Sequence, residues 1–261
     1  MSNLVIGNTS QLAHYFPNGY DKISGRNIDY KTIRGKKYDV IFITFAEQRT
    51  FLNECEKFFT DVNVSYTLDV INNLKDYCNK VIIYSTAELW NNYEGEVSVN
   101  MGFNFNYTPY IKSKEILSNY INEHKEKYQN VHIIYPFNFN TPYRKEGFLF
   151  SKIFDSLINK NKNTTGDLSF DRDIIHPLTI VKNSITTNND LLIGSGELYN
   201  IEIFIKDLFS LYNLNYKDYI MINGSNNLPN KRKNYYSSIK YSNYDELLKL
   251  TIYDIRKNSI S

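Results

Sequence analysis

A tyrosine and a lysine stand four residues apart in the segment 110–114, which reads Tyr-Ile-Lys-Ser-Lys. Two side chains at this spacing share one face of a helix, so the sequence predicts the Lys114 ammonium beside the Tyr110 phenol. A free phenol titrates near ~10, and a nearby positive charge favours its ionised form, so we expect a lowered pKa for Tyr110. Such a tyrosine can act as an acid or a base in catalysis. The alternative is an ordinary solvated helix face, because the spacing recurs by chance in a chain with 23 tyrosines.

Hydroxyl and carboxyl groups come shortly after a predicted strand. Residues 80–84 form an apolar, β-branched run that is typical of a buried strand, and Thr86 and Glu88 follow it. Ligands bind beyond the carboxyl ends of strands in open α/β sheets, so chemistry is expected at Thr86 and Glu88. The alternative for Thr86 is a hydroxyl that caps a backbone group at the strand end.

The first predicted strand leads into a turn of small residues. Residues 3–6 read Asn-Leu-Val-Ile, and residues 7–13 read Gly-Asn-Thr-Ser-Gln-Leu-Ala. A small-residue turn that opens a helix lets a phosphate group approach backbone N–H groups. The segment therefore indicates a phosphate-containing ligand.

Strand-like and helix-like segments alternate in the first half of the chain, which predicts a doubly wound parallel sheet of the α/β class. The connection over 19–37 is short, so we expect a trimmed second and third strand. The predicted strands are 3–6, 40–46, 81–84 and 131–137, and the predicted helices are 10–16, 65–77, 110–127, 147–159, 199–212 and 244–257, with a polar loop at 159–166.

Composition is that of an ordinary globular protein. The 261 residues are 42% hydrophobic with a net charge of +2, which provides no basic field for nucleic acid. The two cysteines have no metal-ligand spacing, and the first residues lack the pattern of a signal peptide. No apolar run approaches the ~20 residues that span a bilayer, so we expect no membrane insertion and a cytoplasmic protein.

Taken in order, these segments resemble an extended short-chain dehydrogenase/reductase of the nucleotide-sugar epimerase, dehydratase and reductase branch, along nearly the whole chain. Two glycines of the family's Gly-x-x-Gly-x-x-Gly turn are replaced by small residues. The matching segments are the turn at Gly7, Ser10 and Ala13, the fourth strand at 38–46, the strand end at Thr86, the pair Tyr110 and Lys114, the Arg-Pro-x-Asn-like segment at 134–138, and Arg-Asp-Ile-Ile-His at 172–176.

The resemblance implies a Rossmann-type fold in which residues 1–140 mainly bind NAD(P). Residues 141–261 would mainly bind the substrate and interweave with the first part. By resemblance, the substrate is a nucleotide-diphosphate sugar, held by Asn138 and Arg172, and the protein can form a homodimer through the active-site helix. The implied catalytic residues are Thr86, Tyr110, Lys114 and Glu88, and the implied cofactor-binding residues are Gly7, Ser10, Gln11, Leu12, Arg26, Asp29, Phe45, Ala46, Lys114 and Pro136.

The resemblance favours NADP over NAD as the cofactor. Residues 24–29 read Ser-Gly-Arg-Asn-Ile-Asp and are similar to a reductase pattern of an arginine followed by Leu-Asp. The Arg26 guanidinium could bind a 2′-phosphate, and Asp29 would approach the adenine. The alternative is a surface arginine in a turn.

The reaction type depends on the residues beside Thr86. The family's 4,6-dehydratases carry Thr-Asp-Glu or Thr-Ser-Glu there, whereas this chain has Thr86-Ala87-Glu88, and a methyl group cannot deliver a proton. We therefore expect reduction of a 4-keto-6-deoxyhexose. The alternatives are a nucleotide-sugar epimerase, a 4,6-dehydratase, or a relative that binds the cofactor without catalysis.

Overall fold

The computed structural model describes residues 2–52, 54–144, 147–223 and 233–258 as a mixed α/β protein. Its strands in chain order are β1 (Ser2–Ile6), β2 (Asp21–Ile23), β3 (Tyr38–Ile43), β4 (Cys78–Tyr84), β5 (Gly95–Val97), β6 (Val131–Pro136), β7 (Asn138–Phe139), β8 (Asn163–Thr165), β9 (Asp171–Arg172), β10 (Ile174–Ile175), β11 (Leu191–Ile193), β12 (Tyr199–Asn200), β13 (Ile220–Ile222) and β14 (Tyr235–Ser237). Its α-helices are α1 (Tyr30–Arg34), α2 (Glu56–Thr60), α3 (Thr67–Leu74), α4 (Pro109–Glu123), α5 (Leu149–Asn159), α6 (Pro177–Thr186), α7 (Ile201–Ser210) and α8 (Tyr244–Asn258).

A six-stranded parallel sheet in the order β2-β1-β3-β4-β6-β11 forms the centre of the fold. One row of paired residues crosses five of these strands near their carboxyl ends, through Ile23, Ile6, Ile43, Ile83 and Ile133. The residues that follow this row therefore emerge at one edge of the sheet. The strand order reverses beside β1, which is where ligands bind in sheets of this kind. The predicted doubly wound parallel sheet is confirmed.

Both faces of the sheet are covered, which explains why its strands read as continuous apolar runs. Ile83 of β4 joins the apolar cluster that contains Leu117 of α4. Its neighbour Ile82 joins a separate cluster on the other face, with Ile180 of α6. Alternate residues of one strand therefore anchor helices on opposite faces of the sheet.

The connections around the first three strands are shorter than in the predicted pattern. The expected helix at 10–16 is a 3₁₀ helix over Leu12–Tyr15. Strand β2 has three residues, and only α1 lies between it and β3. The trimmed second strand was expected from the short connection, whereas residues 19–37 contain no third strand, and the segment predicted as the fourth strand is β3.

The helix before β4 begins earlier than predicted and contains an irregular turn. Helices α2 and α3 are joined without a break by a π-helical segment, Asp61–Tyr66. Asn63 in this segment is 1% exposed. A buried asparagine on a π turn disrupts the apolar period of an α-helix, so the pattern predicted only the part after residue 65.

The second half of the chain builds its own apolar cluster, with Phe154 of α5, Leu208 of α7 and Ile255 of α8. These helices agree with the predicted segments to within a few residues. Helix α6 was not predicted; His176 caps it by accepting a hydrogen bond from the N–H of Leu178. The predicted loop at 159–166 contains the short strand β8, which pairs with β13. The division at residue 140 stays a prediction.

Within the described part of the chain, no helix is long and apolar enough to span a membrane.

Candidate active site

The amino end of α4 places Tyr110 in the site. Thr108 is the N-cap, and its hydroxyl accepts a hydrogen bond of 3.2 Å from the N–H of Ile111. Pro109 occupies the first turn, where its missing N–H costs nothing. Tyr110 therefore sits on a capped, conformationally defined helix start.

Thr86 lies at the carboxyl end of β4 and contacts the tyrosine. Its hydroxyl hydrogen-bonds the Tyr110 phenol oxygen. Thr86 Oγ1 also accepts a hydrogen bond of 3.2 Å from the N–H of Glu88, and Thr86 so caps the 3₁₀ helix Ala87–Trp90. Thr86 therefore caps a backbone group, as in the alternative, and also contacts Tyr110; its part in the chemistry stays a prediction.

Lys114 is buried beneath these residues, with 3% of its surface exposed. Its Nζ donates a hydrogen bond of 2.9 Å to the carbonyl of Tyr84 at the end of β4. Burial lowers the pKa of Lys114 to about 8, because an ammonium loses its hydration inside the protein. The lysine is still mostly charged at neutral pH.

The structure corrects the expected pKa of Tyr110. Burial, reinforced by the negative charge of Glu88, raises the pKa of the phenol to about 12. The Thr86 hydroxyl and the Arg144 guanidinium act in the opposite direction but are weaker. The prediction of a lowered pKa was wrong because the Lys114 ammonium is engaged by a backbone carbonyl and does not govern the phenol.

Glu88 lies close to Tyr110. Its Oε2 accepts a hydrogen bond of 3.1 Å from the Nδ2 of Asn91, and its charge acts on Tyr110. The methyl group of Ala87 is directed into the core and is 1% exposed. The strand end thus offers one carboxylate at this place, from Glu88.

The turn after β1 is held against the end of β3. Gly7 has a φ of +107°, and a Cβ there would lie 2.8 Å from the backbone nitrogen of Phe45. The Ser10 hydroxyl donates a hydrogen bond of 2.7 Å to Thr44 Oγ1. Thr44 Oγ1 lies 3.1 Å from the carbonyl of Gly7 and donates to it. Ser10, which replaces a family glycine, therefore supports the turn through a hydroxyl pair that the sequence pattern did not reveal.

The same turn fits a pyrophosphate group. The segment 7–13 contains no acidic residue. The side-chain oxygen of Gln11 is buried without a hydrogen-bond partner. Leu12 and Ala13 begin the 3₁₀ helix, and the N–H of Ala13 donates to the carbonyl of Ser10 at 3.1 Å, so this group is used inside the turn. Small residues, a backbone that requires glycine and the absence of negative charge are what a dinucleotide needs here.

Aromatic rings line the edge of the sheet beside this turn. The ring centroids of Phe45 and Tyr66 are 5.3 Å apart, and the Tyr66 hydroxyl donates a hydrogen bond of 2.8 Å to the carbonyl of Gly25. A Cβ on Gly25 would lie 2.8 Å from the Phe45 ring. Ala46 follows Phe45 and is half-buried.

Arg26 and Asp29 lie in and after the loop that follows β2. Arg26 is exposed there. Asp29 is the N-cap of α1, and its carboxylate accepts hydrogen bonds from the N–H groups of Lys31 and Thr32. The Thr32 hydroxyl, which donates to Asp29 at 2.6 Å, and then these N–H groups lower the pKa of Asp29. The carboxylate expected near the adenine therefore also starts a helix.

The predicted substrate residues lie on short strands after the central sheet. Pro136 ends β6, and Asn138 pairs with Ile174 through β7 and β10. The guanidinium of Arg172 lies 4.9 Å from the centroid of the Phe170 ring, and its Nη1 donates to the carbonyl of Asp171. The described contacts join Thr86, Glu88 and Tyr110, and Lys114 reaches the end of the same strand through the Tyr84 carbonyl. No contact links Asn138 to these residues within the described part of the chain.

Two residues of the site were missed by the sequence. Asn63 accepts a hydrogen bond of 2.8 Å from the N–H of Glu47 and donates one of 3.0 Å to the Ser113 hydroxyl, so it ties the loop after β3 to α4. Arg144 lies near Tyr110, and its guanidinium stacks 3.9 Å from the centroid of the Phe148 ring. Both depend on contacts between segments distant in sequence, which no local pattern signals.

No group of three or more histidine, cysteine, aspartate or glutamate side chains that could hold a metal ion occurs in the described residues.

The sequence matches no protein-family model, and no curated protein matches it. Solved structures match it over almost its whole length at low identity. MoeE5 in complex with UDP-glucose and NAD has a TM-score of 0.78 and 14% identity, covering 100% of both chains. UDP-N-acetylglucosamine 4-epimerase from Methanobrevibacter ruminantium, in complex with UDP-N-acetylmuramic acid, has a TM-score of 0.77 and 16% identity, covering 98% of both chains.

DesIV, the dTDP-glucose 4,6-dehydratase from Streptomyces venezuelae, has a TM-score of 0.78 and 16% identity, covering 99% of this chain and 98% of its own. The chain therefore has the fold of nucleotide-sugar epimerases and dehydratases. This confirms, at the level of the fold, the resemblance to the extended short-chain dehydrogenase/reductase family.

Proposed function

We propose that the protein is an NAD(P)-dependent oxidoreductase that acts on a nucleotide-diphosphate sugar. One observation carries the proposal: Tyr110 hydrogen-bonds Thr86, and one helical turn later the buried Lys114 hydrogen-bonds the end of the same strand, at the sheet edge where the glycine turn also emerges. Burying a lysine next to a tyrosine is unfavourable for folding, and a catalytic site is where such an arrangement has a use. The related folds solved with NAD and UDP-glucose support the same class of ligands.

The residues of the turn and the neighbouring strand ends would hold the cofactor. Gly7, Ser10, Gln11 and Leu12 would bind the pyrophosphate, and Lys114 would bind the nicotinamide ribose. A bound nicotinamide supplies the two-electron redox chemistry. Phe45, Ala46, Asp29 and Pro136 would line the remaining length of the dinucleotide.

The protonation state of Tyr110 favours reduction of a carbonyl. With a pKa raised to about 12, the phenol keeps its proton at neutral pH and is ready to donate it. As a ketone is reduced, its oxygen gains negative charge and accepts the Tyr110 proton, while the Thr86 hydroxyl orients the same oxygen. Oxidation of an alcohol needs the phenolate, which is scarce at this pKa.

The preferred substrate is a 4-keto-6-deoxyhexose, because Ala87 provides no acid to expel a 6-hydroxyl. One observation favours the alternatives: the charge of Glu88 acts on Tyr110, so a carboxylate is close enough to abstract a sugar proton in an epimerase or 4,6-dehydratase. A protein that only binds the cofactor would have no use for Tyr110 in contact with Thr86 at this edge of the sheet.

Arg26 supports NADP as the cofactor, with NAD as the alternative. Its side chain is exposed in the loop after β2, where the guanidinium can reach a 2′-phosphate. We also propose a cytoplasmic homodimer that pairs through α4 and the helix before β4.

The test is NADPH absorbance with dTDP-, UDP- and GDP-linked 4-keto-6-deoxyhexoses, run beside NMR of the parent sugar nucleotides with added NAD⁺. We expect oxidation of NADPH in the first arm and no 4-keto product in the second. Tyr107→Phe is the matched control for Tyr110→Phe, because Tyr107 lies three residues away and is 62% exposed. A 4-keto-6-deoxy product from the parent sugar, without NADPH oxidation in the first arm, would identify a dehydratase.

A further inference from the structure

Arg144 is a half-buried cation with an unused hydrogen-bond donor. Its Nε is buried and has no hydrogen-bond partner among the described residues. Its charge acts on the Tyr110 phenol, so it lies close to the catalytic pair. Burial lowers the pKa of the guanidinium to about 10, which still leaves it charged at neutral pH. A largely desolvated charge with no counter-ion among the described residues is unfavourable unless a ligand pairs with it.

Neighbouring residues hold Arg144 in one position. The guanidinium carbon lies 3.9 Å from the centroid of the Phe148 ring, and the N–H of Arg144 donates to the carbonyl of Thr141 at 3.2 Å. Stacking covers one face of the guanidinium and leaves the edge, where its N–H groups lie, for a ligand. The side chain is therefore arranged before any ligand arrives.

The aromatic support of Arg144 spans two separate segments of the chain. Phe148 contacts Phe51 edge to face, with ring centroids 5.3 Å apart. Phe51 follows β3, whereas Phe148 precedes α5. Gly147 has a φ of +95°, and a Cβ there would lie 2.8 Å from the Phe51 ring. The close approach of these two segments fixes Arg144 near Tyr110.

We propose that Arg144 binds an anionic group of the nucleotide-sugar substrate, next to the carbon whose oxygen Tyr110 serves. A guanidinium edge pairs with a carboxylate or a phosphate through two parallel hydrogen bonds. Every nucleotide-diphosphate sugar offers the diphosphate, and a uronate sugar also offers a carboxylate at C6. The inference rests on the proposed function, and it adds the chemical requirement for a negative charge near the reacting carbon.

The position beside Tyr110 makes the two sources distinguishable. The diphosphate is attached at C1, across the ring from C4, whereas a carboxylate at C6 lies on the C4 side. If the sugar carboxylate is the ligand, the substrate is a 4-keto uronate instead of a 6-deoxyhexose, and the roles of Tyr110, Thr86 and Lys114 are unchanged.

The test measures binding by calorimetry, which does not depend on turnover. The ligands are UDP, UDP-glucose and UDP-glucuronic acid, with the corresponding dTDP and GDP compounds. The variants are Arg144→Met and Arg144→Lys, and Arg34→Met is the control. Arg34 also stacks on aromatic rings, 5.7 Å from Tyr30 and 5.3 Å from Tyr77, but lies before β3 at the opposite edge of the sheet.

Arg144→Met should weaken binding by at least ~10-fold, since a charge-assisted hydrogen bond is lost. Arg144→Lys should retain part of the binding, because lysine keeps the positive charge but cannot form two parallel hydrogen bonds. Loss confined to UDP-glucuronic acid, or its dTDP or GDP counterpart, assigns the sugar carboxylate, and equal loss for all ligands including the free nucleotide assigns the diphosphate. If the wild-type protein binds these ligands and folded Arg144→Met binds them equally well, the role of Arg144 is wrong and the proposed function is unaffected. If the wild-type protein binds none of these ligands, both the inference and the proposed substrate class are wrong.

Discussion

Replacing Lys114 with methionine should stabilise the fold at neutral pH while it abolishes catalysis. Burial lowers the pKa of Lys114 from 10.5 to about 8, a difference of about 2.5 units. At about 1.4 kcal/mol per unit, keeping this lysine charged costs the folded state about 3 kcal/mol at pH 7. The variant also loses the hydrogen bond from Nζ to the Tyr84 carbonyl, and this loss reduces the gain in stability by about 1–2 kcal/mol. We therefore expect a net gain of about 1–2 kcal/mol in unfolding free energy.

The sign of the pH dependence follows from proton binding. Between pH 8 and 10.5 the unfolded chain still holds the Lys114 proton, whereas the folded protein has released it. The unfolded state then binds more protons, so the wild-type protein gains stability as the pH rises through this range. The advantage of Lys114→Met should accordingly fall by about 3 kcal/mol between pH 8 and 10.5 and reverse its sign, because the lost hydrogen bond to Tyr84 remains.

The assay is urea unfolding of both proteins at pH 7, 8, 9 and 10, because the difference between them cancels the titration of other groups. Lys249→Met is the control, since Lys249 is exposed on α8 and should show no such trend. A stability difference that stays constant from pH 7 to 10 would refute the claim that Lys114 is buried in its charged form.

Three further outcomes are expected. Tyr110→Phe should keep cofactor binding, measured by fluorescence titration, and lose at least ~10²-fold in kcat; near-normal turnover would remove Tyr110 as the acid. Arg26→Ala should abolish a preference for NADPH over NADH in the same titration, and equal affinities in the wild-type protein would exclude Arg26 from the site. Gly7→Ala should weaken cofactor binding and lower stability by about 1–3 kcal/mol, because a Cβ meets the Phe45 backbone at 2.8 Å on a positive φ. Unchanged thermal unfolding of Gly7→Ala would contradict the geometry of the turn.

The central sheet could be predicted because its strands depend on local composition. Strands β3, β4 and β6 are covered on both faces, so each appears in the sequence as an apolar run with no alternation. The start of α4 was equally local, since Thr108 and Pro109 form a cap and a first turn within a few residues. These elements fix where Thr86 and Tyr110 emerge.

The electrostatics of the site could not be predicted, because they depend on depth and on distant residues. The spacing of Tyr110 and Lys114 indicated proximity, but not that the ammonium is bound to the Tyr84 carbonyl. Nor did it indicate that Glu88 raises the pKa of the phenol. The contact of Arg144 with this site joins residues more than thirty positions apart.

Two structural features could not be predicted because they depend on contacts between distant segments of the chain. Asn63 lies on a π turn whose irregularity has no sequence period, and its partners come from the loop after β3 and from α4. Ser10 reads as a replaced glycine, yet its hydroxyl bonds Thr44. The roles given to the site residues, and the division of the chain at residue 140, stay predictions.

The transfer of a deuterium label tests the proposed chemistry most directly. The protein is given NADPH carrying deuterium at nicotinamide C4, in separate samples for each face, together with nucleotide-linked 4-keto sugars, and the products are examined by NMR. The proposed reduction predicts deuterium at the sugar C4 from one of the two labelled forms, and loss of this product in Tyr110→Phe. A product that carries no deuterium from either form, or the absence of any reduced sugar while NADPH binds, would contradict it.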